Sequence, residues 1–173
     1  MIEMELTRIL IAETREGQVI VLKEKNGERA FPIVIGFFEA AAIDRHVKQV
    51  PSPRPLTHDL VHSVIREMGG TLERVNVNDL RDNTFFGQLV VRRGEEMIIV
   101  DSRPSDAIAL AVLAEVPIFV AEHVLDEVCG ATGAFDLGDL TAMTEGGEEP
   151  EGDEGEGEGE APGEGDEPEK PKE

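Results

Sequence analysis

Between Ala107 and Ala114 the chain reads Ala-Ile-Ala-Leu-Ala-Val-Leu-Ala, without a single polar residue. Wound on a helical period, that run is apolar on every side. A helix of this kind is buried all round, so the rest of the domain has to be built about it. The residues just before it, Asp101-Ser102-Arg103-Pro104-Ser105-Asp106, then define its start.

The remaining elements follow from periodicity and turn chemistry. Met4 to Glu13 mixes β-branched and apolar residues with polar ones and ends near a turn at Gly17. Val19-Ile20-Val21-Leu22 and Phe31-Pro32-Ile33-Val34-Ile35 read as paired strands across Asn26-Gly27, a strong hairpin signal. Pro32 places its strand at an edge or a bulge. Phe37 to Lys48 reads as a helix with Ala40, Ala41, Ile43 and Val47 on its buried side. Pro51, Pro53 and Pro55 hold an extended loop. Leu60, Val61, Val64, Ile65 and Met68 then form one helical face, with Thr57 as the expected N-cap and Gly69 as the stop. Strands are predicted at 72–77, 84–91 and 97–101, the last two joined by Arg93-Gly94-Glu95. A short strand at 117–121 and a short helix at 122–128 follow. Strands in runs with helices set between them give an α+β class: a mixed, mostly antiparallel sheet with helices packed against it, in one domain.

Composition sets the domain limits. Residues 145–173 hold fourteen Asp/Glu against two Lys and no Val, Ile, Leu, Met or Phe. So much charge with so little apolar surface cannot offset the entropy of ordering, and this tail is expected to be disordered. The expected division is a folded domain over 1–130, a linker over 131–144 and the acidic tail over 145–173. Residues 1–144 carry twenty-three acids and fourteen bases, a net charge of −9. That balance, with no Trp or Tyr and seven Phe, disfavours simple nucleic-acid binding, which needs a local basic patch or bridging metal ions. If the tail competes with nucleic acid for the domain's basic residues, deleting 145–173 should tighten binding at low salt; an unchanged affinity in a titration would dismiss the idea. A single cysteine, Cys129, an opening without a basic segment and the lack of any membrane-length apolar run predict a cytoplasmic protein with no membrane partner.

Two Arg-Pro pairs carry the chemistry. Pro53-Arg54-Pro55-Leu56-Thr57-His58-Asp59 and Arg103-Pro104-Ser105-Asp106 each set a cation, a hydroxyl and a carboxylate at a helix start. The structural reading makes Thr57, Ser102, Ser105 and Asp106 caps, with Arg103 pairing Asp101 or Asp106. Asp59 then only complements the helix dipole, a contribution of about 0.3–1 kcal/mol. The functional reading makes the same groups a phosphate and metal site. His58 and His62, four apart, imitate the spacing of a zinc-protease helix. Asp59 is a methylene shorter than the glutamate of that motif, and His58 sits at the helix end, so the match is poor. Phe37-Phe38 and Phe85-Phe86 are each expected to place one ring inside and one outside, the outer rings forming a partner or stacking surface.

Phe31-Pro32-Ile33-Val34-Ile35-Gly36, Glu39-Ala40-Ala41-Ala42-Ile43, the 53–60 run and the 101–111 run resemble, in order and spacing, the bifunctional nuclease domain family over about residues 4–128. The resemblance implies an α+β fold with a large mixed sheet and an activity on DNA and RNA. It supplies no residue roles; those come from the residues themselves. On that basis Asp59, Asp106, Glu39 and Asp101 are expected to hold Mg²⁺ or Mn²⁺, ions that favour carboxylate and water. Arg54, Arg103 and Ser105 would take the phosphate, and His58, Asp59 and Asp106 would carry the catalysis. The nucleic acid is the expected partner. The alternative is a non-enzymatic, homo-oligomeric binding or regulatory module, or a domain that binds a small anionic ligand at its Arg-flanked helix starts.

Overall fold

A computed structural model describes residues 1–11 and 17–132, with the side chains of residues 131 and 132 left aside. The acidic tail, most of the expected linker and the end of the first predicted strand (residues 12 and 13) lie outside these residues. The elements run β1 (Ile2–Leu10), β2 (Gln18–Glu24), β3 (Ala30–Ile35), α1 (Phe37–Val47), α2 (Thr57–Glu67), β4 (Thr71–Arg81), β5 (Thr84–Arg93), β6 (Glu96–Ser102), α3 (Pro104–Ala114), β7 (Ile118–Val120) and α4 (Glu122–Thr132). Seven strands form one sheet in the order β3-β2-β1-β7-β4-β5-β6. The β4–β7 pair is parallel and the other neighbours are antiparallel. The α+β expectation holds in full.

Alternation decides which face of the sheet is covered. Ile20, Leu22, Phe31, Ile33, Val75, Val77, Leu89 and Val91 join the core together with α3. The sheet curls strongly enough for Phe31 of β3 to stack on Phe85 of β5 at 5.7 Å, although four strands lie between them in the order. Helix α3 packs on β4 and β5, and α1 and α2 pack on α3. Ala107, Ile108, Ala109, Leu110 and Ala111 are all buried, as an all-apolar helix requires. Pro32 does lie on an edge strand, where its missing N–H costs no ladder bond on the open side.

Local details depart from expectation in four places. Strand β4 does not stop at Val77 but runs on through a bulge between Val77 and Asp79 to Arg81, and turns through Asp82 and Asn83, both at positive φ. Leu56, not Thr57, holds the cap position of α2, and its N–H donates to the Asp59 carboxylate at 2.8 Å. None of Ser102, Ser105 or Asp106 caps α3; its cap residue is Arg103, which lends no side-chain bond to the helix amides, and Pro104 removes one amide from need. The fourth departure is the largest. The apolar face of α2 is not a core face: Leu60, Val61, Val64 and Met68 are exposed, and Ile65 alone of the five packs on the core cluster. Likewise α1 buries Ala40 and Ile43, but Val47 is exposed. The all-apolar α3 takes the central place, and α2 meets the core mainly through one residue.

Gly87 fixes how α3 leaves the sheet. A Cβ there would stand 3.0 Å from the Pro104 nitrogen and 3.0 Å from the Ser102 oxygen, both backbone atoms. Gly87→Ala is therefore expected to cost about 1–3 kcal/mol, as overpacking against backbone does; a denaturant midpoint equal to the parent's would show that this junction yields freely.

Candidate active site

The starts of α1, α2 and α3 meet at one end of the helical layer. Gly36 opens α1 in extended geometry and leaves room for the Glu39 carboxylate to fold back over the helix start, where a Cβ would collide with it. Arg103, extended at the start of α3, lays its guanidinium between two acids. Its Nη1 lies 2.8 Å from Glu39 Oε1, and its Nε and Nη2 donate to the two Asp106 oxygens at 2.8 and 3.2 Å. Asp106 in turn faces His58 of α2, with Nε2 3.1 Å from Oδ1. Glu39, Arg103, Asp106 and His58 thus form one chain of polar contacts along a cavity of about 620 Å³, which Phe38, Leu56 and Leu60 also line.

Electrostatics keep Asp106 and Arg103 charged. Burial raises the Asp106 carboxyl, but hydrogen bonds from Arg103 and His58 outweigh it and hold the group below the ordinary carboxylate range. Asp106 and Glu39 push the Arg103 guanidinium further toward its charged form. An ionised Asp106 can only accept, so His58 donates through Nε2–H, and in the neutral ring the lone pair is then on Nδ1. A guanidinium has five N–H donors. Three of Arg103's are committed to the two acids, which among the described residues leaves two for a ligand anion.

A second network lies beside the first. Arg45 Nη2 donates to both oxygens of Asp59, at 3.1 and 2.9 Å, and to His46 Nε2 at 2.9 Å. Because arginine only donates, His46 accepts there as a neutral ring protonated on Nδ1. Burial first, and Arg45 second, hold the His46 imidazole below its ordinary value. For Asp59 burial acts upward, but the Leu56 amide and Arg45 bring the carboxyl down. The depressed histidine sets a sign. Its contribution to stability is complete above the unfolded value of about 6.5 and is lost as pH falls through the folded value. The thermal midpoint should therefore drop between pH 7 and 5, and His46→Gln should flatten that slope. An unaltered slope would mean that other groups set it; His62, also depressed by burial and Arg66, is the alternative source.

Of the residues expected from sequence, the fold brings His58, Asp106, Arg103 and Glu39 together. Asp59 is turned to Arg45 and the α2 cap instead. Ser105 is buried in the first turn of α3. Asp101 is exposed on β6 opposite Gln88, and Arg54 is exposed without an ion pair among the described residues. The four acids named for Mg²⁺ or Mn²⁺ therefore do not share a site. Among the described residues no three His, Cys, Asp or Glu side chains converge to hold a metal ion, and Arg103 fills the space between Glu39 and Asp106. As arranged, these donors do not fit that ion. His62 lines a separate cavity with Arg66, so the zinc-protease spacing leads nowhere. One ring pair differs from expectation, since Phe37 and Phe38 are both exposed. The other agrees with it: Phe85 packs on the core and stacks on Phe31, while Phe86 lies outside the core under Arg81. Sequence reasoning missed Arg45 and His46. They sit among ordinary helix residues, and their partner Asp59 is 14 positions from Arg45, so no local pattern marks them.

A curled mixed sheet about one buried helix, with a His-Asp-Arg-Glu chain at three helix starts, defines a compact α+β class of site-bearing domain. The chain belongs to the bifunctional nuclease domain family, whose model matches residues 20–131. An uncharacterized protein of Mycobacterium tuberculosis is 42% identical over 123 residues, covering 71% of this chain and 73% of that protein. Bifunctional nuclease 2 of Oryza sativa subsp. japonica is 31% identical over 114 residues, 64% of this chain and 35% of the rice protein. Bifunctional nuclease 1 of Arabidopsis thaliana is 28% identical over 109 residues, 61% of this chain and 34% of that protein. The alignments thus cover about a third of these two plant proteins. Among the described residues no helix is long and apolar enough to cross a membrane.

Proposed function

We propose that this domain hydrolyses phosphodiester bonds in DNA and RNA. The observation that carries the reading is the contact chain of His58, Asp106 and Arg103 along an open cavity. It is supported by membership of the bifunctional nuclease domain family and by the names of the plant relatives. The two spare donors of Arg103 bind the non-bridging oxygens of the scissile phosphate and strengthen as charge develops on them. His58 Nδ1 takes a proton from the attacking water as its oxygen bonds to phosphorus. The bond from phosphorus to the leaving oxygen breaks, and the imidazolium returns the proton to that oxygen. Asp106 holds the ring in the required tautomer and balances the charge it gains. Glu39 holds Arg103 from the other side.

No step here passes through a metal ion, and the assay that tests the reading separates the two chemistries. Single-stranded DNA, duplex DNA and RNA are offered to the full chain with Mg²⁺, Mn²⁺ or EDTA. Cleavage that survives EDTA and is lost in His58→Ala supports the scheme as written. Cleavage that needs Mg²⁺ or Mn²⁺ restores the expected metal and requires Arg103 to leave Glu39 or Asp106 on substrate binding. No cleavage in any arm leaves a binding module.

A further inference from the structure

Phe38 holds its ring in solvent, 83% exposed, on the wall of the cavity that His58, Arg103 and Asp106 line. A lone exposed Phe is ordinary. This one is placed. Phe37 packs edge-on against it, with centroids 5.7 Å apart and an interplanar angle of 80°. Its chain neighbour Glu39 is the residue that grips Arg103. An aromatic face therefore lines the same cavity as a guanidinium with two donors uncommitted among the described residues, and Leu56 and Leu60 extend the apolar lining.

We propose that Phe38 is a stacking platform for the nucleobase next to the phosphate bound by Arg103, and that the site accordingly takes single-stranded DNA or RNA and rejects duplex. The proposal rests on the nuclease reading above and names its substrate class. In a duplex both faces of a base are covered by its neighbours; only an unpaired, unstacked base can offer one to a side chain. The charge of the chain points the same way. A net −21 repels a long phosphate backbone, so affinity has to come from a few local contacts, and stacking is one that needs no basic face. With no Trp or Tyr in the sequence, that contact falls to Phe. A protein surface docked on the same ring would have to cover Arg103, Asp106, Glu39 and His58 and leave Arg103's spare donors unpaired or find them an anion. A nucleotide brings the anion and the flat ring together.

The experiment uses the full chain, a single-stranded oligonucleotide with 2-aminopurine beside the cleaved linkage, and the same strand annealed to its complement. Phe38→Ala should raise KM for the single strand by about 5- to 150-fold, the range that stacking energies per base imply, with kcat within about twofold. Phe38→Trp should keep the parent KM. Binding should quench 2-aminopurine in the parent and not in Phe38→Ala, and the duplex should be a poor substrate for both. Duplex cleaved as fast as single strands, or a Phe38→Ala variant with parental KM and quench, overturns the proposal. So does a change of oligomeric state in Phe38→Ala by sedimentation, which makes the ring a subunit contact. Quenching that depends on Phe38 without any cleavage sinks the nuclease reading and keeps the stacking site. Neither quenching nor cleavage sinks both.

Discussion

His58→Ala is expected to lower kcat/KM for phosphodiester cleavage by about 10²- to 10⁴-fold, the usual contribution of one positioned acid-base group. Stability should change little by comparison. His58 is on the first turn of α2, a helix that buries none of its residues fully, and among the described residues its one polar contact is to Asp106. Imidazole added to the buffer should return part of the rate, because it restores the missing base without restoring the side chain. Asp106→Asn should also lose most of the activity, by a different route. It keeps the size of the side chain but removes the charge that fixes the His58 tautomer and the two-point grip on Arg103. A His58→Ala variant as active as the parent, in a preparation free of other nucleases, would end the proposed mechanism whatever Asp106→Asn does.

Ile108→Ala should be the more damaging change for the fold, at about 2–5 kcal/mol. Ile108 has no exposed surface and sits in the helix around which everything else is packed. The same truncation on α2, Val64→Ala, should stay within about 0.5 kcal/mol because Val64 is already exposed. Urea unfolding of the two variants tests the packing directly. Equal losses would mean that the α2 face is covered in solution, by a second copy or another partner.

That pair of substitutions also shows where sequence reasoning holds and where it stops. Ala107–Ala114 and Leu60–Met68 both announce helices, and both are helices. The first has apolar surface on every side, so only burial can stabilise it, and its position follows from composition. The second has one apolar stripe, and a stripe says which way a helix prefers to face but not whether anything meets it. The hairpins behave like the first case. Gly94 and Asp82-Asn83 adopt positive φ where local turn chemistry requires it, and the β5–β6 register runs unbroken from its turn.

The sequence by itself determined the α+β class, the all-round burial of α3, the confinement of Pro32 to an edge or a bulge and the presence of an Arg-Pro pair before each of two helices. These depend on interactions within a few residues of one another. Only the tertiary structure decided that Asp106 meets His58, 48 positions away, while Asp59, next to His58 in the chain, turns to Arg45. Two carboxylates at similar helix starts have the same local chemistry. Which cation each one finds depends on how three helices pack about α3, and that is a property of the whole curled sheet rather than of either motif.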